Sequence, residues 1–123
     1  MAMQITKHIE RGKFGELLAA KYLRRSGFYI KYRNWRHKRC EIDIIAEKNG
    51  VIHFVEVKTR YSTTFGYPEE SVSLKKFNTL RKGAAAFLSI FEDVKNIQFD
   101  VLSIRILPGQ EIEYFFIEDV YIY

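Results

Sequence analysis

Residues 40–58 read CEIDIIAEKNGVIHFVEVK, a sequence that predicts a β-hairpin. Polar and apolar residues alternate before Asn49-Gly50, a dipeptide typical of two-residue hairpin turns, and a second strand-like run follows it. If these two residues form the loop, Lys48 pairs with Val51. The register of the whole hairpin then follows by counting back from the turn.

Acids from both strands face each other in this predicted hairpin. The register puts Asp43 opposite Glu56 and Glu41 opposite Lys58, and the period of two sends all four side chains to one face. Directly opposed Cβ atoms lie about 4.5–5.5 Å apart, so two acids there repel each other unless a cation lies between them. A divalent metal ion is one candidate for that cation. Ion pairing with nearby lysines and arginines is the alternative.

The composition is that of one domain without disulfides. The chain has 123 residues, of which 47% are hydrophobic and 15% aromatic, enough for one core. Its single cysteine, Cys40, excludes an internal disulfide and a cysteine-based zinc cluster. No apolar run is long enough to span a membrane, and no apolar signal segment precedes the first predicted helix. A cytoplasmic protein that does not bind membranes is therefore the expectation.

Basic residues are concentrated in the first third of the sequence. Residues 7–39 contain eleven lysines and arginines against two glutamates, whereas residues 83–123 contain two against seven acids. This asymmetry indicates a polyanion bound on one side. Within residues 31–39, KYRNWRHKR, aromatics interleave with five cations, which suits phosphate contact and stacking on Trp35. A solubilising surface is the alternative, and for Trp35 itself a core position is favoured.

The remaining sequence predicts two helices and three more strands. The first helix, residues 12–26, should bury Phe14 and Leu17 and carry Glu16 near its N-terminus. A second helix should begin after Ser73 as N-cap. The order is αβββαββ, an α/β fold with a central mixed sheet and two flanking helices. The predicted strands outside the hairpin are residues 28–33, 97–106 and 112–123, and residues 59–70 are predicted to be a loop.

Several motifs in this sequence, taken together, resemble the YraN-like family of predicted bacterial endonucleases. They are GKFGELLA (12–19), NWR (34–36), EID (41–43), FVEVKTR (54–60), SVSLKK (71–76) and FDV (99–101). The resemblance covers about residues 10–104 and rests on the order and spacing of the motifs. The family is similar to archaeal Holliday junction resolvases and belongs to the restriction-endonuclease-like superfamily. The resemblance therefore implies that residues 1–123 form a single nuclease-like domain.

The resemblance also implies a metal site. Asp43 and Glu56 would ligate Mg²⁺ or Mn²⁺, and the backbone carbonyl of Val57 would supply a third oxygen. Lys58 would orient or activate the attacking water and stabilise the transition state. These roles predict hydrolysis of a phosphodiester bond.

Other charged residues receive less specific roles. Glu16 and Glu41 are catalytic candidates. The alternative for Glu16 is a structural role near the N-terminus of the helix, where the helix dipole favours an acid. The alternative for Glu41 is a salt bridge with Lys58. Asp100 is expected to be structural. Contact with the nucleic-acid backbone is expected of Arg36, Lys38, Arg39, Arg60 and Lys76.

Two positions depart from the related sequences. Cys40 replaces the glycine usual in the family, which affects packing or substrate access. Ile42 replaces the proline frequent in the superfamily but agrees with the YraN-like pattern.

The expected function is a metal-dependent endonuclease acting on structured or branched DNA. The alternative is a non-catalytic nucleic-acid-binding protein with a nuclease-like fold. Because junction resolvases cut two strands symmetrically as dimers, a homodimer is expected by analogy. The aromatic last strand is a candidate dimer edge, although a core position is favoured for it.

Overall fold

The helices and strands follow one another in the predicted order αβββαββ. They are seen in a computed structural model that describes residues 2–62 and 73–120, with side chains from Glu10 onward in those ranges. None of the helices in these ranges is long and apolar enough to cross a membrane. The elements are α1 (Ala2–Arg25), β1 (Tyr29–His37), β2 (Cys40–Lys48), β3 (Val51–Arg60), α2 (Leu74–Ile90), β4 (Ile97–Arg105) and β5 (Glu113–Ile117).

The five strands form one mixed sheet in the order β1-β2-β3-β4-β5. The first three strands are antiparallel, β4 is parallel to β3, and β5 is antiparallel to β4. The parallel pair requires a crossover connection, and α2 lies in that connection. Because β2 and β3 are antiparallel, the beginning of β2 and the end of β3 lie at the same end of the sheet.

Two apolar clusters fill the space between the sheet and its helices. The cluster on the α1 side includes Leu23, Ile44 and Val55, and the cluster on the α2 side includes Phe54 and Phe87. Two of the three aromatic residues of β5 pack against the first cluster: Tyr114 stacks on Tyr22 with 4.8 Å between ring centroids, and Phe116 packs beside them.

The last strand is shorter than its predicted range of 112–123. It ends at Ile117, and Asp119 then adopts a left-handed conformation with φ 57°. The N–H of Asp119 donates to the buried carboxylate of Asp100 at 2.9 Å, and the N–H of Val120 donates to the carbonyl of Phe99 on β4 at 2.7 Å. Tyr121 and Tyr123 lie outside the described residues.

Helix α1 is longer than predicted, and its buried face differs from the predicted one at Phe14 and Leu17, while Leu18 and Tyr22 pack partly buried against the α1-side cluster. The side chains of Ala19, Ala20 and Leu23 are buried, whereas Phe14 is 44% exposed and Leu17 is 40% exposed. Gly15 is also buried, and at this position α1 approaches β3 closely. A Cβ atom on Gly15 would overlap the hydroxyl oxygen of Thr59 on β3.

Strand β1 continues four residues past its predicted end and contains an irregularity. The register against β2 shifts between Ile30 and Tyr32. Ile30 packs in the α1-side cluster, while the ring of Tyr32 meets Phe87 on α2. From strict alternation along residues 28–33 we expect Ile30 and Tyr32 on one face; this expectation is wrong because a bulge adds one residue and reverses the alternation.

Helix α2 begins as predicted. The Ser73 Oγ accepts a hydrogen bond from the N–H of Lys76 at 3.2 Å, the expected N-cap geometry. Phe77, Leu80 and Phe87 are buried against the sheet. The predicted loop at residues 59–70 overlaps the end of β3, and residues 63–72 lie outside the described residues.

Candidate active site

The central hairpin has the predicted turn and register. Pairing between β2 and β3 runs from Lys48 with Val51 to Ile44 with Val55. If this register continued, Val57 would pair with the backbone of Ile42. Instead, the N–H of Val57 donates to Asp43 Oδ2 at 2.8 Å. A carboxylate is thus built into the edge of the sheet where the two strands stop pairing.

A second irregularity lies on the other side of Asp43. The register of β1 with β2 places Asn34 across from Asp43, and Asn34 has a left-handed conformation with φ 53°. Asparagine tolerates this conformation better than most residues. The interruption is visible in the packing, because Ile44 faces α1 whereas Ile42 faces α2. The predicted strict alternation from Glu41 onward was therefore wrong at Asp43.

The charge of Asp43 is opposed by its surroundings. Its pKa is raised from 3.8 to about 7, first by burial and then by the neighbouring charge of Glu56. Glu16 and Glu41 raise this pKa further, while the hydrogen bond from Val57 lowers it. Four acids from α1, β2 and β3 therefore converge on one position.

The acidic edge faces the beginning of α2 across a cleft of about 290 Å³, which we call the acid cleft. Glu41 and Glu56 line one side of it. The first turns of a helix favour anions through their unpaired N–H groups and dipole. A phosphate between the two walls would thus meet favourable groups on the helix side, where the lining residues are Ser73, Lys75, Lys76, Thr79 and Leu80.

Lysine 58 lies beside the acids as predicted. Its Nζ is 3.5 Å from Glu56 Oε1, and both side chains are largely shielded from solvent. Glu41 pairs instead with Arg36 at 3.5 Å, and that pair is exposed. The predicted alternative of a Glu41–Lys58 salt bridge was therefore wrong. An exposed pair of this kind contributes little to stability, on the order of 0–1 kcal/mol.

Glu16 is positioned by a neighbouring strand. It lies in the middle of α1, far from the first turn, so the helix dipole does not explain it. Its carboxylate accepts a hydrogen bond from Asn34 Nδ2 at 3.1 Å. The left-handed Asn34 thus links α1 to the sheet directly beside Asp43. The sequence motif at residues 34–36 included Asn34, but its role as the partner of Glu16 was missed.

The predicted DNA-binding cations lie at the same end of the sheet. Arg36, Lys38 and Arg39 are exposed around the β1–β2 turn, and Lys76 is exposed on the acid cleft. Arg60 ends β3 and is half-buried, and its carbonyl accepts from Ile106 at 2.8 Å.

Trp35 packs edge-on against Phe87 with 5.4 Å between centroids, which supports the core interpretation over stacking on DNA. Lys75 and Thr79, which sequence reasoning missed, also line the cleft. The basic pair in the SLKK motif was the available signal for Lys75.

Asp100 is structural, as expected. Its Oδ2 lies 2.6 Å from His53 Nδ1, and its Oδ1 accepts from Gln98 at 2.8 Å and from the N–H of Asp119 at 2.9 Å. The side chain is fully buried. Its hydrogen-bonding capacity is used inside the protein, away from the acid cleft.

The carboxylates of Asp43 and Glu56, of which Glu56 lines the acid cleft, fit a hard divalent cation. Within residues 2–62 and 73–120, no three His, Cys, Asp or Glu side chains form a ready-made metal cage. Mg²⁺ does not require one, because it binds through one or two carboxylates and keeps waters or substrate phosphates as its other ligands. Asp43 and Glu56 provide two carboxylates whose repulsion such a cation would relieve.

Comparison with known proteins gives a consistent family assignment. Related proteins called "UPF0102 protein" include one from Syntrophomonas wolfei, 46% identical over 82% of this chain and 89% of its own length. Another, from Persephonella marina, is 48% identical over 76% of this chain and 82% of its own length. One from Flavobacterium johnsoniae is 40% identical over 82% of this chain and 85% of its own length. Residues 15–104 match the sequence model of a family described as "Uncharacterised protein family UPF0102". The chain therefore belongs to family UPF0102, the YraN family.

Proposed function

We propose that this protein is a metal-dependent endonuclease that hydrolyses phosphodiester bonds in structured or branched DNA. One observation carries the proposal: Asp43 is a partly buried carboxylate near the charges of Glu56, Glu16 and Glu41, and its pKa rises to about 7, first through desolvation and then through these charges. Perturbed acids beside a cleft are typical of functional sites. A divalent cation is the partner that would stabilise all four ionised groups together.

Asp43 and Glu56 would hold Mg²⁺ or Mn²⁺, with the carbonyl of Val57 as the predicted third protein ligand. When bound, the ion supplies Lewis-acid chemistry and charge neutralisation at a phosphodiester. The N–H of Val57 fixes the Asp43 carboxylate at 2.8 Å, so this ligand needs little reorganisation. Glu16 and Glu41 would act from outside the two main ligands, and Asn34 orients Glu16.

Lys58 is the proposed proton-handling and charge-stabilising group. Its ammonium lies 3.5 Å from Glu56 in a half-buried position, where a charge acts more strongly than in bulk water. There it would donate a hydrogen bond to the attacking water or to a phosphate oxygen that gains charge. Both roles require the lysine to remain beside the metal ligand.

The DNA would approach across the basic edge that surrounds the acids. Lys75 and Lys76 would contact phosphates from the cleft wall on α2. A four-way junction cut in two strands would require two copies of the protein, so we also propose a homodimer on that substrate. The remaining proposed phosphate contacts are Arg36, Lys38, Arg39 and Arg60.

A nucleic-acid-binding protein without catalysis is the second candidate. The Glu56–Lys58 ion pair favours it, because the lysine neutralises part of the acidic charge without any metal. This candidate predicts salt-dependent DNA binding and no turnover in any metal.

Cleavage of labelled DNA separates the two candidates. A four-way junction and a matched linear duplex are incubated with wild type, Glu56→Ala and Glu47→Ala in Mg²⁺, Mn²⁺ or EDTA. Glu47 is the control because its ion pair with Lys31 lies toward the far end of β2. We expect metal-dependent cuts that fall on the order of a hundredfold or more in Glu56→Ala and persist in Glu47→Ala.

The ratio of junction to duplex cleavage then reports whether branching is recognised. Binding without cleavage in every metal would favour the second candidate. Unchanged cleavage by pure Glu56→Ala would contradict the proposed site.

A further inference from the structure

A second cavity lies on the α1 side of the sheet, at the same end of β3 as the acid cleft. It has a volume of about 370 Å³, and the described residues that line it are Glu10, Arg11, Phe14 and Tyr61. We call it the aromatic cavity. Three of its lining residues come from α1, and Tyr61 directly follows β3.

The walls of the aromatic cavity are held in place by contacts between Arg11 and Tyr61. The Tyr61 hydroxyl donates to the carbonyl of Arg11 at 3.0 Å, and the Arg11 guanidinium lies 4.9 Å from the centre of the Tyr61 ring. Burial raises the pKa of Tyr61 and the charge of Arg11 partly opposes this, so the phenol stays neutral at physiological pH. Phe14 completes the wall and is 44% exposed. An exposed aromatic side chain therefore lies beside a second one that is fixed.

The charges of the aromatic cavity suit a nucleobase better than a phosphate. Glu10 and Arg11 carry opposite charges, so the lining does not attract an anion as the acid cleft's α2 wall does. A carboxylate accepts hydrogen bonds from the exocyclic amino groups of bases. Aromatic rings and a guanidinium provide stacking and cation–π surface for the face of a base.

The distance to the acid cleft matches a span of a few nucleotides. Tyr61 follows Lys58 by three residues and Glu56 by five, which corresponds to about 10 Å and about 17 Å along an extended chain. The two cavities open on opposite faces of this end of the sheet, one beside α1 and the other beside α2. A strand that crosses this end of the sheet would reach both.

We propose that the aromatic cavity binds an unpaired base of the DNA strand that is cut at the acid cleft. This proposal rests on the proposed function and narrows its substrate to DNA with unpaired nucleotides beside the scissile phosphate, such as a flap or an opened branch point. Bases inside an uninterrupted duplex have both faces covered by their neighbours, and exposing one requires unstacking. An unpaired nucleotide offers its face without that requirement.

The test places a fluorescent base, 2-aminopurine, at successive positions of a single-stranded overhang on a duplex. Binding is measured in EDTA, so the result does not depend on cleavage. The proteins are wild type, Phe14→Ala, Tyr61→Ala and Tyr29→Ala. Tyr29 is the matched control. It is an aromatic residue, 71% exposed, and it begins β1, at the end of the sheet away from the acid cleft.

We expect wild type and Tyr29→Ala to change the fluorescence at one or two neighbouring positions of the overhang only. Phe14→Ala and Tyr61→Ala should lose that change and bind the overhang DNA roughly fivefold to a hundredfold more weakly, as loss of one stacked base predicts. Their affinity for blunt duplex should equal that of wild type.

Equal fluorescence changes at all positions, or wild-type affinity of both variants for the overhang, would overturn the proposal. Thermal unfolding checks the fold of each variant. If Tyr61→Ala is unfolded, Phe14→Ala alone decides the result, since Phe14 is 44% exposed. If the protein binds the overhang through Phe14 but never cleaves DNA, the nuclease proposal fails while the base site remains.

Discussion

The carboxylate of Asp43, a proposed metal ligand, is unfavourable for folding when it is ionised. Its pKa of about 7 in the folded protein lies above the 3.8 of the free side chain, so the folded state binds the proton more tightly than the unfolded state. The protonated carboxyl group makes its full contribution to the free energy of unfolding below about pH 4. This contribution is lost as the pH rises from about 4 through about 7.

We predict that Asp43→Asn stabilises the metal-free protein at pH 8. The neutral amide can still accept the hydrogen bond from Val57, and it removes the buried charge, so the free energy of unfolding should rise on the order of 2–4 kcal/mol. At pH 4 the difference from wild type should shrink towards zero. Urea unfolding at both pH values in EDTA measures it.

The matched control for this prediction is Glu47→Gln, which removes an acid whose ion pair with Lys31 is partly exposed. It should change stability by less than about 1 kcal/mol at either pH. A metal-free Asp43→Asn protein that is no more stable than wild type at pH 8 would show that other groups already compensate the charge.

At the scale of elements, the contact between α1 and β3 depends on a missing side chain. Gly15 faces Thr59 so closely that a methyl group would overlap the threonine hydroxyl. We predict that Gly15→Ala destabilises the protein by about 1–3 kcal/mol, because overpacking forces α1 away from the sheet. Thermal unfolding of the variant measures this loss.

The double variant Gly15→Ala with Thr59→Ala is the control for that packing argument. Removing the hydroxyl relieves the closest overlap, while the Cβ of residue 59 remains near, so stability should recover in part. Equal stability of Gly15→Ala and wild type would mean that α1 does not need this close approach.

The beginning of α2 yields a prediction about binding. Lys75 and Lys76 line the acid cleft, whereas Lys82 is an exposed lysine farther along the same helix. Lys76→Ala and Lys75→Ala should each weaken DNA binding in EDTA and reduce the slope of log affinity against log salt by about 1. Lys82→Ala should leave the slope at the wild-type value. A Lys82 effect equal to that of Lys76 would show that α2 contributes only general positive charge.

At the scale of the whole molecule, local patterns predicted most of the fold. The Asn49-Gly50 turn determined the hairpin register, and Ser73 marked the beginning of α2. These signals succeed because they depend on neighbours in sequence. The same signals indicated which acids meet, although the paired geometry predicted for Asp43 and Glu56 ends one residue earlier.

The missed features depend on contacts between distant segments. The bulge after Ile30 and the left-handed Asn34 reverse the faces of β1, and only packing against both helices determines where they occur. The burial of Gly15 rather than Phe14 goes with the close approach of Thr59 on β3. Glu16 likewise takes its partner, Asn34, from β1, a contact between residues 18 positions apart that the motif at 34–36 does not reveal.

The central claim is that the converging acids form a divalent cation site. Its most direct test is a titration with Mn²⁺ at pH 8, in which electron paramagnetic resonance measures the free ion in the presence of wild type, Asp43→Asn, Glu56→Gln and Glu47→Gln. We expect a binding site in wild type and Glu47→Gln that is lost in Asp43→Asn and Glu56→Gln. In wild type, binding should weaken below pH 7 as protons compete for Asp43. Absence of Mn²⁺ binding by wild type, or unchanged binding by Asp43→Asn, would contradict it.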